Sequence, residues 1–136
     1  LSLLSGSRLF PGVRRLLAYL KSKGYCLAFA SNRPTKFSLI LVRHLKIGRF
    51  FDYHLCADKI KRGKPDPEIL KRIYRHFSLK VEEALYIGDM IIDVQAGRRA
   101  RVKTIAVTTG SSTIRELRKE KPYRIIPAVA KLKRIL

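Results

Sequence analysis

Acidic residues are scarce in this chain. Asp and Glu number 10 against 30 Lys and Arg in 136 residues, for a formal charge of +20. A chain so unbalanced repels itself, and polyanions, phosphorylated substrates or acidic partner proteins would relieve the repulsion. Apolar runs are short as well. None approaches the roughly 18 to 20 residues a membrane-spanning helix needs, and no basic segment leads into an apolar core at the start. The expectation is a protein that is not exported and works in the cytoplasm. Cysteine is limited to Cys26 and Cys56, each in or at the end of an apolar run. That usage predicts two buried, reduced thiols rather than a disulfide framework. Met90 is the one methionine and the chain begins with Leu1, from which we expect a fragment or a processed form.

What is present is enough for a core. Hydrophobic residues make up 46% of the chain and are spread along it, so residues 1–136 read as one folded domain. Residues 1–10 show no period and predict an irregular lead-in. Val13, Leu16, Leu17 and Leu20 then recur at helical spacing, with Pro11 suited to the start and Gly24 to the end. The continuous apolar run 25–30 predicts a strand covered on both faces. Phe37, Ile40, Leu41 and Leu45 mark a second helix closed by Gly48. A strand at 53–56 follows, then a basic loop to Pro65. Asp66 and Pro67 open a helix that turns Ile69, Leu70, Ile73 and Phe77 inward.

One short helical turn at 81–84 precedes the strand 85–87. A helix to about Arg101, a strand at 103–108, a basic helix at 113–119, a strand at 124–126 and an amphipathic helix from Pro127 complete the pattern. Such alternation predicts an α/β fold, a Rossmann-like parallel sheet flanked by helices, in which ligands bind outside the carboxyl ends of the strands.

Three polar signals fall near such ends. Ser31 and Asn32 follow the strand 25–30 and precede a helix, where a hydroxyl and unsatisfied backbone N–H groups favour an anion; an ordinary helix cap would use the same residues. Lys64 stands in Gly63-Lys64-Pro65-Asp66-Pro67, whose prolines stiffen the loop and hold the ammonium in place; otherwise it is one more cation of a basic loop. Asp89 ends an apolar strand after Gly88, and Asp93 lies one helical turn later. The two carboxylates can converge on a hard cation such as Mg²⁺, or Asp89 can cap the helix and leave Asp93 exposed.

Taken with Phe10-Pro11-Gly12-Val13, Ala30-Ser31-Asn32, Ile87-Gly88-Asp89 and the run Thr104-Ile105-Ala106-Val107 before Gly110, these stretches resemble the haloacid dehalogenase superfamily, in particular its phosphoglycolate-phosphatase-like branch. The resemblance covers nearly the whole chain. It implies an Mg²⁺-dependent phosphatase of small phosphorylated metabolites in which Ser31 and Asn32 meet the phosphoryl group. Lys64 would stabilise its charge, Asp89 would hold the metal, and Asp93 would hold the metal or orient its waters.

The family's first motif, Asp-x-Asp at the end of a central strand, supplies the nucleophile. The Asp residues here are Asp52, Asp58, Asp66, Asp89 and Asp93, and no two have that spacing. The expectation is therefore a core without its first, central strand, with the nucleophile upstream, and with no segment assignable to a cap. A catalytically inactive domain binding RNA or a ribonucleoprotein through its basic surface is the competing expectation. A phosphatase of nucleotide or polynucleotide ends would combine the two.

Overall fold

In the computed structural model, residues 4–5, 8–9 and 11–136 are described, the first two pairs as backbone only. Within the lead-in, β1 (Leu4–Ser5) pairs antiparallel with β2 (Arg8–Leu9). Phe10 and the remaining positions of 1–10 lie outside the described residues.

Helix α1 (Val13–Ser22) follows, and its Val13, Leu16, Leu17 and Leu20 are all buried, as the helical spacing predicts. Burying each contributes about 1.5–3 kcal/mol. The helix ends through Gly24, whose φ of 85° few other residues adopt at low cost. Strand β3 (Ala28–Ser31) is shorter than the predicted run and includes Ser31 as its last residue. Cys26 lies ahead of it and is exposed, against expectation, because nothing among the described residues covers the chain before the strand; Cys56 is buried as predicted.

Helix α2 (Thr35–His44) turns Ser38 and Val42 inward. Phe37 and Ile40, expected on its inner face, are 59% and 54% exposed. The inner stripe is Ser38, Val42 and Leu45, at i, i+4 and i+7, so the polar Ser38 occupies a core position that the apolar pattern assigned to its neighbour. The helix is terminated by Lys46 at φ 56°, not by Gly48, which opens a short 3₁₀ turn.

Strand β4 (Tyr53–Cys56), helix α3 (Glu68–His76), strand β5 (Leu85–Gly88), helix α4 (Ile91–Arg99), strand β6 (Lys103–Val107), helix α5 (Ile114–Lys119) and strand β7 (Arg124–Ile126) agree with the predicted elements to within about two residues. The carboxyl-terminal segment differs. Residues Val129–Arg134 form a 3₁₀ helix, and its Val129 and Leu132, three apart, reach the core together.

The parallel sheet is divided. Strand β3 pairs with β4, and β5 with β6 and β6 with β7, all in parallel register. No described strand joins the halves, and residues of both β3 and β5 line the space between them. Helices cover both faces. Along β6, Ile105 and Val107 join α1 and α2 in one cluster, while Ala106 packs with Val94 of α4 and Leu117 of α5 in another. That alternation is the pleat of a strand buried on both sides. On the α3 side, Ile69 and Leu70 meet Leu55, Ala96 and Ala100. The core thus ties the two halves together through the helices, α1 and α2 packing with β6 and β7 in one cluster and Leu55 of β4 with α3 and α4 in another, and the carboxyl ends of β3 and β5 face each other across the gap.

Candidate active site

Strand β5 carries apolar residues toward its end and then Gly88, Asp89 and the start of α4. Asp89 is 7% exposed and Asp93 4% exposed, so Asp93 is not left in solvent by a capping Asp89. Burial of two carboxylates requires local compensation. Asp93 receives it from four donors. Its Oδ2 accepts the backbone N–H groups of Asp89 and Met90, both at 3.0 Å, and its Oδ1 accepts Lys64 Nζ at 2.7 Å and the Tyr86 hydroxyl at 2.9 Å. One side chain thereby satisfies the first turn of α4 and fixes a cation. Gly88 is required for this approach, since a Cβ there would collide with the Asp93 side chain.

Lys64 is held at both ends. Asn32 clamps its backbone: Asn32 Oδ1 accepts Lys64 N–H at 2.9 Å, and Asn32 Nδ2 donates to Lys64 O at 2.9 Å. Gly63 leaves room for that clamp, because a Cβ at 63 would lie 2.5 Å from Asn32 Oδ1. The Lys64–Pro65 peptide is cis. Asp66 Oδ1 accepts Glu68 N–H at 2.9 Å and secures the start of α3 beyond the prolines. The ammonium then sits among Asp93, Tyr86 OH at 3.1 Å and Ala30 O at 3.4 Å, with the side chain 11% exposed.

Ser31 ends β3, and its Oγ accepts Arg33 N–H at 3.0 Å, which bends the chain toward α2. Ser112 accepts Ile91 N–H at 3.0 Å and supports the opening of α4. Gly110 abuts Asp89, with a Cβ at 110 falling 2.6 Å from Asp89 Cγ. These elements enclose a cavity of 220 Å³ lined by Ser31, Asn32, Arg33, Lys64, Asp89 and Asp93. All the residues that the sequence singled out are therefore brought to one place, at the carboxyl ends of β3 and β5.

The two carboxylates are electrostatically unlike. Burial works against ionisation of Asp93, but the Lys64 charge and the hydrogen bonds from Lys64, Tyr86 and Met90 outweigh it and hold its carboxyl below the usual range. Burial raises Asp89, and the neighbouring negative charge of Asp93 adds to the shift. The Tyr86 phenol is pushed well above its ordinary value by burial and by Asp93. Asp93 already serves four donors, and Asp89 is the other carboxylate lining the cavity that could hold a cation. No group of three or more His, Cys, Asp or Glu that could hold a metal occurs among the described residues.

Sequence reasoning missed Tyr86, Arg33 and Ser112. A phenol inside an otherwise apolar strand was the available sign for Tyr86. No pattern in the chain marks the other two.

Comparison with known proteins agrees with this arrangement. The chain is 33% identical over 123 residues to a phosphoglycolate phosphatase of Pseudomonas savastanoi pv. phaseolicola, covering 90% of this chain and 45% of that protein. It is 33% identical over 130 residues to a phosphoglycolate phosphatase of Nitrosococcus oceani, covering 96% and 58%. It thus spans about half the length of the curated relatives it matches.

Among solved structures, a predicted phosphoglycolate phosphatase from Haemophilus somnus superimposes with a TM-score of 0.89 at 28% identity, covering 94% of this chain and 57% of that one. A predicted phosphatase from Clostridium acetobutylicum superimposes with a TM-score of 0.85 at 27% identity, covering 93% and 59%. Residues 4–107 match the family described as haloacid dehalogenase-like hydrolase. With the parallel sheet, the site at its strand ends and these relatives in agreement, the chain belongs to the haloacid dehalogenase-like hydrolase family.

Proposed function

We propose that this chain is part of an Mg²⁺-dependent phosphoric monoester hydrolase acting on small phosphorylated metabolites, with 2-phosphoglycolate the first candidate by likeness to its relatives. The observation that carries the reading is the cavity itself. A buried carboxylate, a lysine fixed at backbone and ammonium, and a serine at a strand end converge on a space of 220 Å³.

A phosphoryl group has little need of covalent chemistry from such residues; positioning and charge stabilisation carry its transfer. Ser31 Oγ–H and the nearby backbone N–H groups donate to its oxygens. Lys64 Nζ lies where it neutralises charge that grows on those oxygens, and Asn32 and Asp93 hold it there. The donor set suits Mg²⁺, a hard ion often bound through one or two carboxylates with waters and substrate oxygens filling the rest. Asp89 is its ligand, and the raised pKa of that buried carboxyl reflects a negative charge that a cation would stabilise. When bound, the ion supplies charge neutralisation at the phosphoryl oxygens. Asp93 orients Lys64 and the turn around Asp89 rather than ligating directly, because its oxygens already accept four donors.

The nucleophilic carboxylate belongs, in this reading, to a strand that pairs with β3 on one side and β5 on the other. Their facing edges leave the backbone groups for such a strand to bond, and its carboxyl end would emerge beside Ser31, Lys64 and Asp89. The test is hydrolysis of p-nitrophenyl phosphate and 2-phosphoglycolate by the full-length protein, with Mg²⁺ or with EDTA. Turnover that needs Mg²⁺ and falls by roughly 100-fold or more in Lys64→Ala is expected, in line with the ~3 kcal/mol of one oriented charge-stabilising donor. No turnover of any phosphomonoester by the full-length protein would refute the proposal.

A further inference from the structure

One group of exposed cations gathers at the end of the fold away from the cavity. In parallel α/β units the carboxyl ends of helices and the amino ends of strands share the end of the sheet opposite the strand carboxyl ends. Here α4 ends at Arg99 and α5 at Lys119, while β6 begins at Lys103 and β7 at Arg124. Arg101 at φ 61° and Lys121 at φ 55° make the turns between each helix and the next strand. Arg98, Arg101, Lys103 and Lys121 consequently surround one depression of 290 Å³, walled on one side by Tyr123.

Tyr123 is 47% exposed. Lys103 Nζ lies 4.7 Å and Arg124 Cζ 5.2 Å from its ring centroid. Glu120, the residue that caps α5, is taken up by Arg98 at 3.0 Å and by Gln95 Nε2 at 3.2 Å. Arg101, Lys103, Lys121 and Arg124 are all exposed, and no ion pair among the described residues involves them.

We propose that this surface binds single-stranded nucleic acid, with backbone phosphates on Arg101, Lys103, Lys121 and Arg124 and a base against the Tyr123 ring. The pairing of a cationic groove with an exposed aromatic is what single strands recognise, since every base offers a π face. A lipid surface fits less well, because the aliphatic lining of the depression, Val94 and Val102, is buried and has nothing to insert. The surface lies away from the phosphoryl site, so the inference stands whether or not the chain is a hydrolase.

The test is fluorescence anisotropy of a labelled oligouridine titrated with the protein at several salt concentrations. Each lost phosphate contact lowers the slope of log affinity against log salt by about 0.7 for a single strand. The triple variant Arg101→Asn, Lys103→Gln, Lys121→Asn removes three charges while giving both left-handed positions a residue that tolerates them. It should bind at least about tenfold more weakly, with a slope shallower by about 2. Tyr123→Leu should weaken binding by about tenfold with the slope unchanged, as loss of one stacked base does.

Lys36→Gln, Lys59→Gln, Arg115→Gln removes the same charge from exposed positions at the opposite end of the fold and should stay within about threefold of the parent. Circular dichroism confirms folding of each variant. Equal losses from the two triple variants would overturn the proposal in favour of diffuse attraction. Absence of saturable binding, or anionic phosphatidylserine vesicles captured through these residues while oligouridine is not, would overturn it as well.

Discussion

Replacing Asp93 by Asn should cost this fold far more than replacing its neighbour Asp89, and the two changes should differ in sign. Asp93 and Lys64 form an ion pair at 2.7 Å with side chains 5% and 11% exposed. Asn at 93 keeps one oxygen for the N–H groups of residues 89 and 90 but turns an amide donor toward the Lys64 ammonium and the Tyr86 hydroxyl. Removing one partner of a buried pair typically costs about 3–5 kcal/mol. For a domain of this size that is a fall in melting temperature of roughly 10–20 °C.

The pH dependence carries a further signature. The folded-state pKa of Asp93 is lowered, so its stabilisation is complete above the unfolded value near ~3.9 and is lost as pH falls through the folded value. The gap between parent and Asp93→Asn should therefore close on acidification below about pH 4. Asp89 behaves oppositely. Its raised pKa means that ionisation costs stability as pH rises through the unfolded and then the folded value, so Asp89→Asn in EDTA should melt above the parent at neutral pH. Thermal melts by circular dichroism at neutral and acid pH decide both. A loss below about 1 kcal/mol for Asp93→Asn, or a gap that persists at low pH, would refute the assignment of Lys64 as its partner.

Three further outcomes follow from the same geometry. Asn32→Ala removes both hydrogen bonds that hold the Lys64 backbone and, under the proposed hydrolase reading, should lower kcat of the full-length protein more than it raises KM, with a stability loss of about 1–3 kcal/mol measured in urea. Gly97→Ala should destabilise although alanine favours a helix by about 1 kcal/mol, because a Cβ there meets the buried Thr104 side chain; urea titration of Gly97→Ala with and without Thr104→Ala should reveal coupling, and additive effects would exclude that collision. Mg²⁺ should raise the melting temperature of the parent and leave Asp89→Asn unmoved, and equal shifts would mean that the ion binds elsewhere.

Much of the architecture was legible in the linear pattern. The helical spacing of Val13, Leu16, Leu17 and Leu20 demanded a one-sided helix, and each of these residues is buried. Failures came where an apolar residue had no neighbour to bury it. Cys26 borders the gap beside β3, and Phe37 and Ile40 face outward on α2 while Ser38 turns in. Hydrophobicity sets which residues gain from burial, but the packing partner decides which of them obtain it.

By itself the sequence determined the order of strands and helices and the types of residue that reach the strand ends, because period and punctuation are local properties. It also showed that no aspartate pair has the spacing of the family's first motif. Only the tertiary structure decided the division of labour at the site. Asn32 and Lys64 are 32 residues apart, and Lys64 and Asp93 are 29 apart; their hydrogen bonds exist because β3, the loop before α3 and the start of α4 converge at one end of the sheet. The same folding separated Asp89 from Asp93 in character, since the burial and charge around each carboxylate come from elements that lie far away along the chain.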